Sequence, residues 1–229
     1  MAEARHRSTP SRKLPPAAWI VPLGIVVLGA LAFVLLRGGD GGGILGSGPD
    51  NTIPAFDFAQ GRTTAVSVTA EKKQAPPGAK TAATGVTSTL DTLYTEAFLD
   101  PANWRDGAYD EVWPLFADPA AGAAEQESQT LTVGGDGRAY TKIADPKGRI
   151  QVKVLLNEED QVATAVAVVR FKAVGTRTDG KVTIFRSAGQ YFLQADGDAW
   201  QVYSFSVDRD DAVREPRPSA SGSASAGTS

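Results

Sequence analysis

Apolar and polar positions follow four regimes along the chain. Residues 17–36 (AAWIVPLGIVVLGALAFVLL) run twenty positions without a charge. At 1.5 Å per residue that is enough helix to cross a hydrocarbon core of ~30 Å, so a transmembrane helix is expected there. Residues 38–48 hold seven glycines in eleven positions and read as a flexible spacer. Residues 49–85 read as extended, with a short alternating strand at Thr64 to Thr69 and a Pro-Pro-Gly break at residues 76–78. From Val86 the period becomes helical: Val86, Leu90, Leu93, Tyr94, Ala97 and Phe98 share one face of a 3.6-residue helix. Thr87 or Ser88 is the expected cap, and Asp100-Pro101 the stop. A second helix is expected around Tyr109 to Phe116, and Asp118-Pro119 opens an alanine-rich third.

After Gly134-Gly135-Asp136-Gly137 the period falls to two. Strands are expected at 138–143, 149–157, 161–174, 181–194 and 199–207, joined by polar or Asp-Gly turns. Gly189 inside one of them marks a bulge or bend. Hairpins in sequence imply antiparallel pairing, so the fold class is α+β: a transmembrane helix, then helices packed on a curved antiparallel sheet. The expected divisions are a basic tail (1–16), the membrane helix (17–36), a linker with an extended segment (37–85), an α+β domain (86–212) and a disordered tail rich in Ser, Ala, Gly and Pro (213–229).

The order of three helices and then long bent strands, the Phe98-Leu99-Asp100 helix end and the closing Gly197-Asp198-Ala199-Trp200-Gln201-Val202 strand carry a resemblance. Over roughly residues 86–210 the chain resembles the cystatin-like α+β roll of the nuclear-transport-factor-2-like superfamily. More narrowly, it is similar to membrane-anchored actinobacterial proteins associated with mammalian-cell-entry lipid transport complexes. The resemblance implies a cone between helices and sheet, in which enzymes of the superfamily often pair an aspartate with a histidine or tyrosine. None of the resembling residues is a catalytic motif, so fold is implied more firmly than activity.

Charge orients the membrane helix. Arg5, Arg7, Arg12 and Lys13 face only Glu3 ahead of it, while Arg37 stands alone behind it. The positive-inside rule then leaves the N-terminus in the cytoplasm and the domain outside, on a single-pass protein of the cell membrane. Ala30-Leu31-Ala32 has the form of a signal-peptide cleavage site, but Phe33 to Leu36 continue the apolar run past it, which favours a retained anchor. Either reading exports the domain. Residues 38–229 carry 18 cations against 25 carboxylates, a net of −7 without a dense basic run, which argues against nucleic acid and against adhesion to an anionic membrane surface.

Chemistry is bounded by what is missing. There is no cysteine, and the one histidine, His6, lies in the basic tail. Thiol nucleophiles, disulfides and histidine-based catalysis or metal binding are thereby excluded outside the membrane, and no cofactor is expected. Asp208, Asp210 and Asp211 lack the spacing and turn glycine of a calcium loop. Candidate pocket-lining residues are Tyr94, Tyr109, Asp110, Tyr140, Arg170, Arg186 and Tyr191, each with a plain alternative as a core aromatic or a solvated sheet residue. The resulting expectation is a membrane-anchored interaction or assembly module without evident catalysis, working with a membrane protein complex or a second copy. A small-molecule or lipid carrier of an envelope transport system is the alternative, and an enzyme in the same cone a third.

Overall fold

The computed structural model describes residues 51–67 and 76–215. The basic tail, the apolar run at 17–36 and the glycine spacer lie outside the described residues. Among the described residues no helix is long and apolar enough to cross a membrane.

Helix α1 spans Pro77–Tyr94, nine residues earlier than the apolar face at Val86 suggests. The expected Pro-Pro-Gly break is its start: Pro77 occupies the first turn, where a missing N–H costs nothing. Its apolar stripe therefore begins at Ala79 and continues through Ala82, Ala83, Val86, Leu90 and Leu93, all buried. The last turn, Thr95–Leu99, widens to a π-helix, with Ala97, Phe98 and Leu99 all inside the core. Asp100 then ends one helix and caps the next. Its carboxylate accepts from the Ala102 N–H (2.8 Å) and opens α2, Pro101–Asp106.

The helix expected at Tyr109 to Phe116 is replaced by a turn and a 3₁₀ segment, Trp113–Leu115. A regular helix there would place Pro114 in its interior, against the carbonyl four residues back. Tyr109, Val112 and Phe116 are buried all the same. Helices α3 (Asp118–Gln126) and α4 (Ser128–Leu131) complete the helical layer.

The sheet is mixed rather than purely antiparallel. Strands β3 (Tyr140–Leu156), β4 (Val162–Arg177), β5 (Val182–Asp196) and β6 (Ala199–Arg209) form the expected antiparallel meander. The two strands expected at 138–143 and 149–157 are one, bent by a register shift between Ala144 and Lys147. Two short strands from the expected linker, β1 (Ala59–Gln60) and β2 (Thr64–Val66), pair parallel to β3. β7 (Ala212–Arg214) pairs with the start of β5, so Val213 and Arg214 belong to the sheet and not to the tail. Gly189 carries no register shift towards β4; a side chain there would run within 2.3 Å of the Ser206 carbonyl oxygen. The register shift beside β6 lies at Phe192 and Leu193 instead.

Alternation assigns each strand residue to a face. Ile150, Val152, Val154, Val169, Phe171, Phe185, Tyr191 and Leu193 point into the core under α1, with Phe58 and Ala65 from the N-terminal segment among them. The domain thus begins well ahead of residue 86. On the closing strand, the Trp200 carbonyl accepts from the Thr89 hydroxyl (3.1 Å), tying β6 to α1.

Candidate functional site

Eight aromatic rings fill the space between helix and curved sheet. Tyr94 is the hub: its ring lies 4.8 Å from Phe171, 5.1 Å from Phe58 and 5.6 Å from Phe98. Phe56 meets Phe171 at 5.3 Å, Tyr140 meets Phe185 at 5.2 Å, and Tyr191 stands edge-on to Tyr94 at 6.3 Å. Most of these contacts are edge-on or tilted, the arrangement that ring quadrupoles favour.

Polar atoms inside the cone are hydroxyls in relay. Tyr191 donates to the Tyr94 oxygen (3.2 Å), which is 2.9 Å from the Ser187 oxygen. Tyr140 donates to the Thr183 hydroxyl (3.2 Å). Burial pushes both phenols up, Tyr191 well above the ordinary value with the neighbouring Tyr94 adding to it. At neutral pH both are uncharged hydrogen-bond partners, not proton acceptors.

Asp91, on α1, is a half-buried carboxylate that reaches the N-terminal segment. Its carboxylate accepts from the Phe58 N–H (2.6 Å), which latches the N-terminal segment across the mouth of the cone. Burial outweighs that hydrogen bond and raises its pKa from 3.8 to about 6, with the charge of Asp57 adding to the rise. Phe58 packs over Gly148 of β3, where a side chain would come within 2.5 Å of the ring.

Arg209 closes the cone's other end. Its guanidinium lies 5.2 Å from the Phe185 ring and 5.7 Å from Phe98, donates to the carbonyls of Gln129 (2.6 Å) and Thr132, and pairs with Asp211 at 2.6 Å. A shallow cleft of 340 Å³ lined by Gln129, Thr130, Val133, Asp136, Tyr140, Arg209 and Asp211 lies outside this plug. The acidic triplet is divided by role: Asp211 holds Arg209, Asp210 lies 3.6 Å from Arg186, and Asp208 sits opposite Ala188 on β5. Among the described residues no three His, Cys, Asp or Glu side chains converge as metal ligands.

Of the residues singled out in the sequence, Tyr94 and Tyr191 come together, and Tyr140 joins them through Phe185. Tyr109 and Asp110 do not. They line a separate 340 Å³ cleft with Trp113 and Glu125, where the Tyr109 hydroxyl donates to the Gly134 carbonyl (3.2 Å). Arg170 and Arg186 line no part of the cone. Each alternates with an inward neighbour (Phe171; Phe185 and Ser187) and so lies on the outer face of the sheet. Phe58, Asp91, Ser187 and Arg209 were not singled out. The sequence signal for the first is the pair Phe56 and Phe58, the two aromatic residues of the linker.

No protein-family model matches the chain, and no curated protein matches it.

Proposed function

We propose that the chain is a single-pass, membrane-anchored interaction or assembly module whose extracytoplasmic domain works by contact and not by catalysis. The observation that supports this reading is the filled cone: Phe58, Tyr94, Phe98, Phe171 and Tyr191 occupy it, and the hydroxyls within it are already hydrogen-bonded to one another. A ligand site of ordinary size needs several hundred Å³ of free, mostly apolar space. Here the side chains that would line it fill it. Helices packed on a curved sheet are also compatible, at the level of architecture alone, with the nuclear-transport-factor-2-like resemblance.

Crosslinking of the full-length chain in the membranes of its own cells tests the reading. Discrete crosslinked species, to another membrane protein or to a second copy, are expected. A chain that stays uncrosslinked across reagents, and monomeric after extraction, overturns it. The carrier reading draws on one observation of its own, that part of the filling is Phe58 from a short N-terminal segment held by two strands of two and three residues. A lipid co-purifying with the full chain in native mass spectrometry would favour it.

A further inference from the structure

The outer face of the sheet gathers cations that the sequence scatters over forty positions. β3 pairs Lys147 with Lys172 and Arg149 with Arg170 on β4, and Lys172 in turn stands opposite Arg186 on β5. Like charges directly across strands destabilise a sheet. Near that end of the sheet the carboxylates are taken: Asp179 sits by Arg177, Glu215 by Lys181, Asp210 by Arg186 and Asp211 by Arg209. Lys147, Arg149, Arg170 and Lys172 have no ion-pair partner among the described residues, and they rim a shallow hollow of 210 Å³. Asp57, between the Phe56 and Phe58 rings that pack beside Phe171 and Gly148, and Asp145 and Asp208 are further carboxylates of this half.

The opposite end of the same strands is acidic. The β3–β4 turn carries Glu158, Glu159 and Asp160, and the β5–β6 turn carries Asp196 and Asp198, with no cation in either turn. Charge is therefore segregated along the strands, although the domain as a whole is negative. Between the cations and the acidic turns the outer face carries one further cation, Lys153, opposite Val166, and exposes Val168 in the row next to Arg149 and Arg170.

The described chain begins near the start of β3, on the side of the cations away from the acidic β3–β4 turn. Asn51, the first described residue, accepts from Arg105, which also donates to the Thr141 carbonyl (3.3 Å) at the start of β3. Residues 37–50 separate it from the apolar run, and fourteen residues of glycine-rich chain span ~20 Å on average. A leash of that length keeps the domain as a whole close to any surface that holds residues 17–36.

We propose that Lys147, Arg149, Arg170 and Lys172 dock the outer face of the sheet onto the anionic lipid headgroups of the membrane in which the chain is anchored. This rests on the membrane-anchored reading above and adds an orientation to it. The basic end is drawn to the surface while the five turn carboxylates are pushed from it, so the domain lies with its acidic helical layer turned away. The short leash makes docking intramolecular, so a weak attraction suffices. It also qualifies the argument from net charge: an acidic domain repels an anionic surface only if its charge is evenly spread.

The chain has no cysteine, so single-cysteine labels are clean. The full-length protein carrying a fluorophore at Val168→Cys, or separately at Asp198→Cys, is reconstituted into phosphatidylcholine vesicles with and without phosphatidylglycerol, each with a headgroup-bound quencher. Quenching at position 168 is expected to rise several-fold with the anionic lipid, to vanish in ~1 M salt where screening acts within ~3 Å, and to stay low at position 198. Each cation removed should weaken docking about fivefold; Arg149→Gln with Arg170→Gln tests this without introducing new charge, and Arg149→Glu with Arg170→Glu should abolish it. Equal quenching at position 168 in both vesicles overturns the proposal. So does quenching that tracks protein density and not lipid charge, which would assign the face to a second copy. Carbonate extraction separates the two failures: a chain washed from the vesicles refutes the anchor, whereas a retained chain with an unresponsive label refutes only the docking.

Discussion

The two faces of the sheet are built largely from the same four strands by alternation, and they follow opposite rules. Inward positions place Phe171, Phe185 and Tyr191 against α1, and each buried hydroxyl of the tyrosine cluster finds another. Outward positions place Lys147 beside Lys172 and Arg149 beside Arg170, with no partner supplied. The inner face is complete within the chain; the outer face is left incomplete. A face whose interactions are internally satisfied contributes to stability, and one whose charges are left facing each other lowers it while keeping those charges available. The contrast is the physical basis of the docking proposed for the outer face of the sheet.

That contrast can be broken from either side. Removing Phe58→Ala strikes the inner face hardest, since the ring is buried against Tyr94 and Gly148. Chemical denaturation should show a loss of ~3 kcal/mol, and the cavity should take up a small aromatic such as benzene, detectable by calorimetry. An unchanged midpoint would mean that the N-terminal segment is not part of the core.

A smaller effect follows from Asp91. Its folded pKa, about 6, is above the unfolded 3.8, so the folded state holds the proton more tightly. The associated stability is fully present below about 4 and is lost as pH rises through about 6. With the carboxyl half-buried, solvent screening limits the loss to on the order of 1 kcal/mol. Unfolding free energies measured between pH 4 and 7 should show this decline in the native chain. In Asp91→Asn, which keeps an oxygen for the Phe58 N–H, the decline should be absent; a persisting slope would place its origin elsewhere.

The outer face should respond with the opposite sign. Arg170→Gln relieves the facing Arg149 and should stabilise the domain by ~0.5 kcal/mol at low ionic strength, with the gain disappearing as salt is added. A loss of stability in that variant would show that the guanidinium packs usefully on the sheet and is not held there for a partner.

The inner face was largely legible in the sequence. The spacing of Val86, Leu90, Leu93 and Phe98 gave one side of a helix, and the alternation from Ile150 to Leu156 gave one side of a strand. Errors came where a residue type serves two purposes. Pro77 breaks a helix from inside but starts one from its first turn. Pro114 sits in an apolar pattern of helical period that its ring forbids. Tyr94 and Tyr191 were readable as core aromatics, but their pairing depends on a register that only the folded strands set. Arg209 was hidden within an acidic cluster that drew notice only for its resemblance to, and departure from, a calcium loop. The outer cations show the same limit: Lys147-x-Arg149 and Arg170-x-Lys172 each declare a shared face by their period of two, yet nothing local says that the two doublets stand opposite one another. Phe58 was missed because a plug needs only one side chain, and one side chain makes no pattern.

β1 and β2 also have a protective consequence. Without them the stretch of β3 from Arg149 to Leu155, which they pair at Arg149, Ile150 and Lys153 to Leu155, would be an open sheet edge. Such an edge is a template for strand addition by any other chain, including an identical one. The few residues ahead of the first helix therefore act as a guard against aggregation as well as a part of the core. A fragment begun at residue 86, where the helical pattern first becomes evident, would lack that guard and would be expected to self-associate through β3.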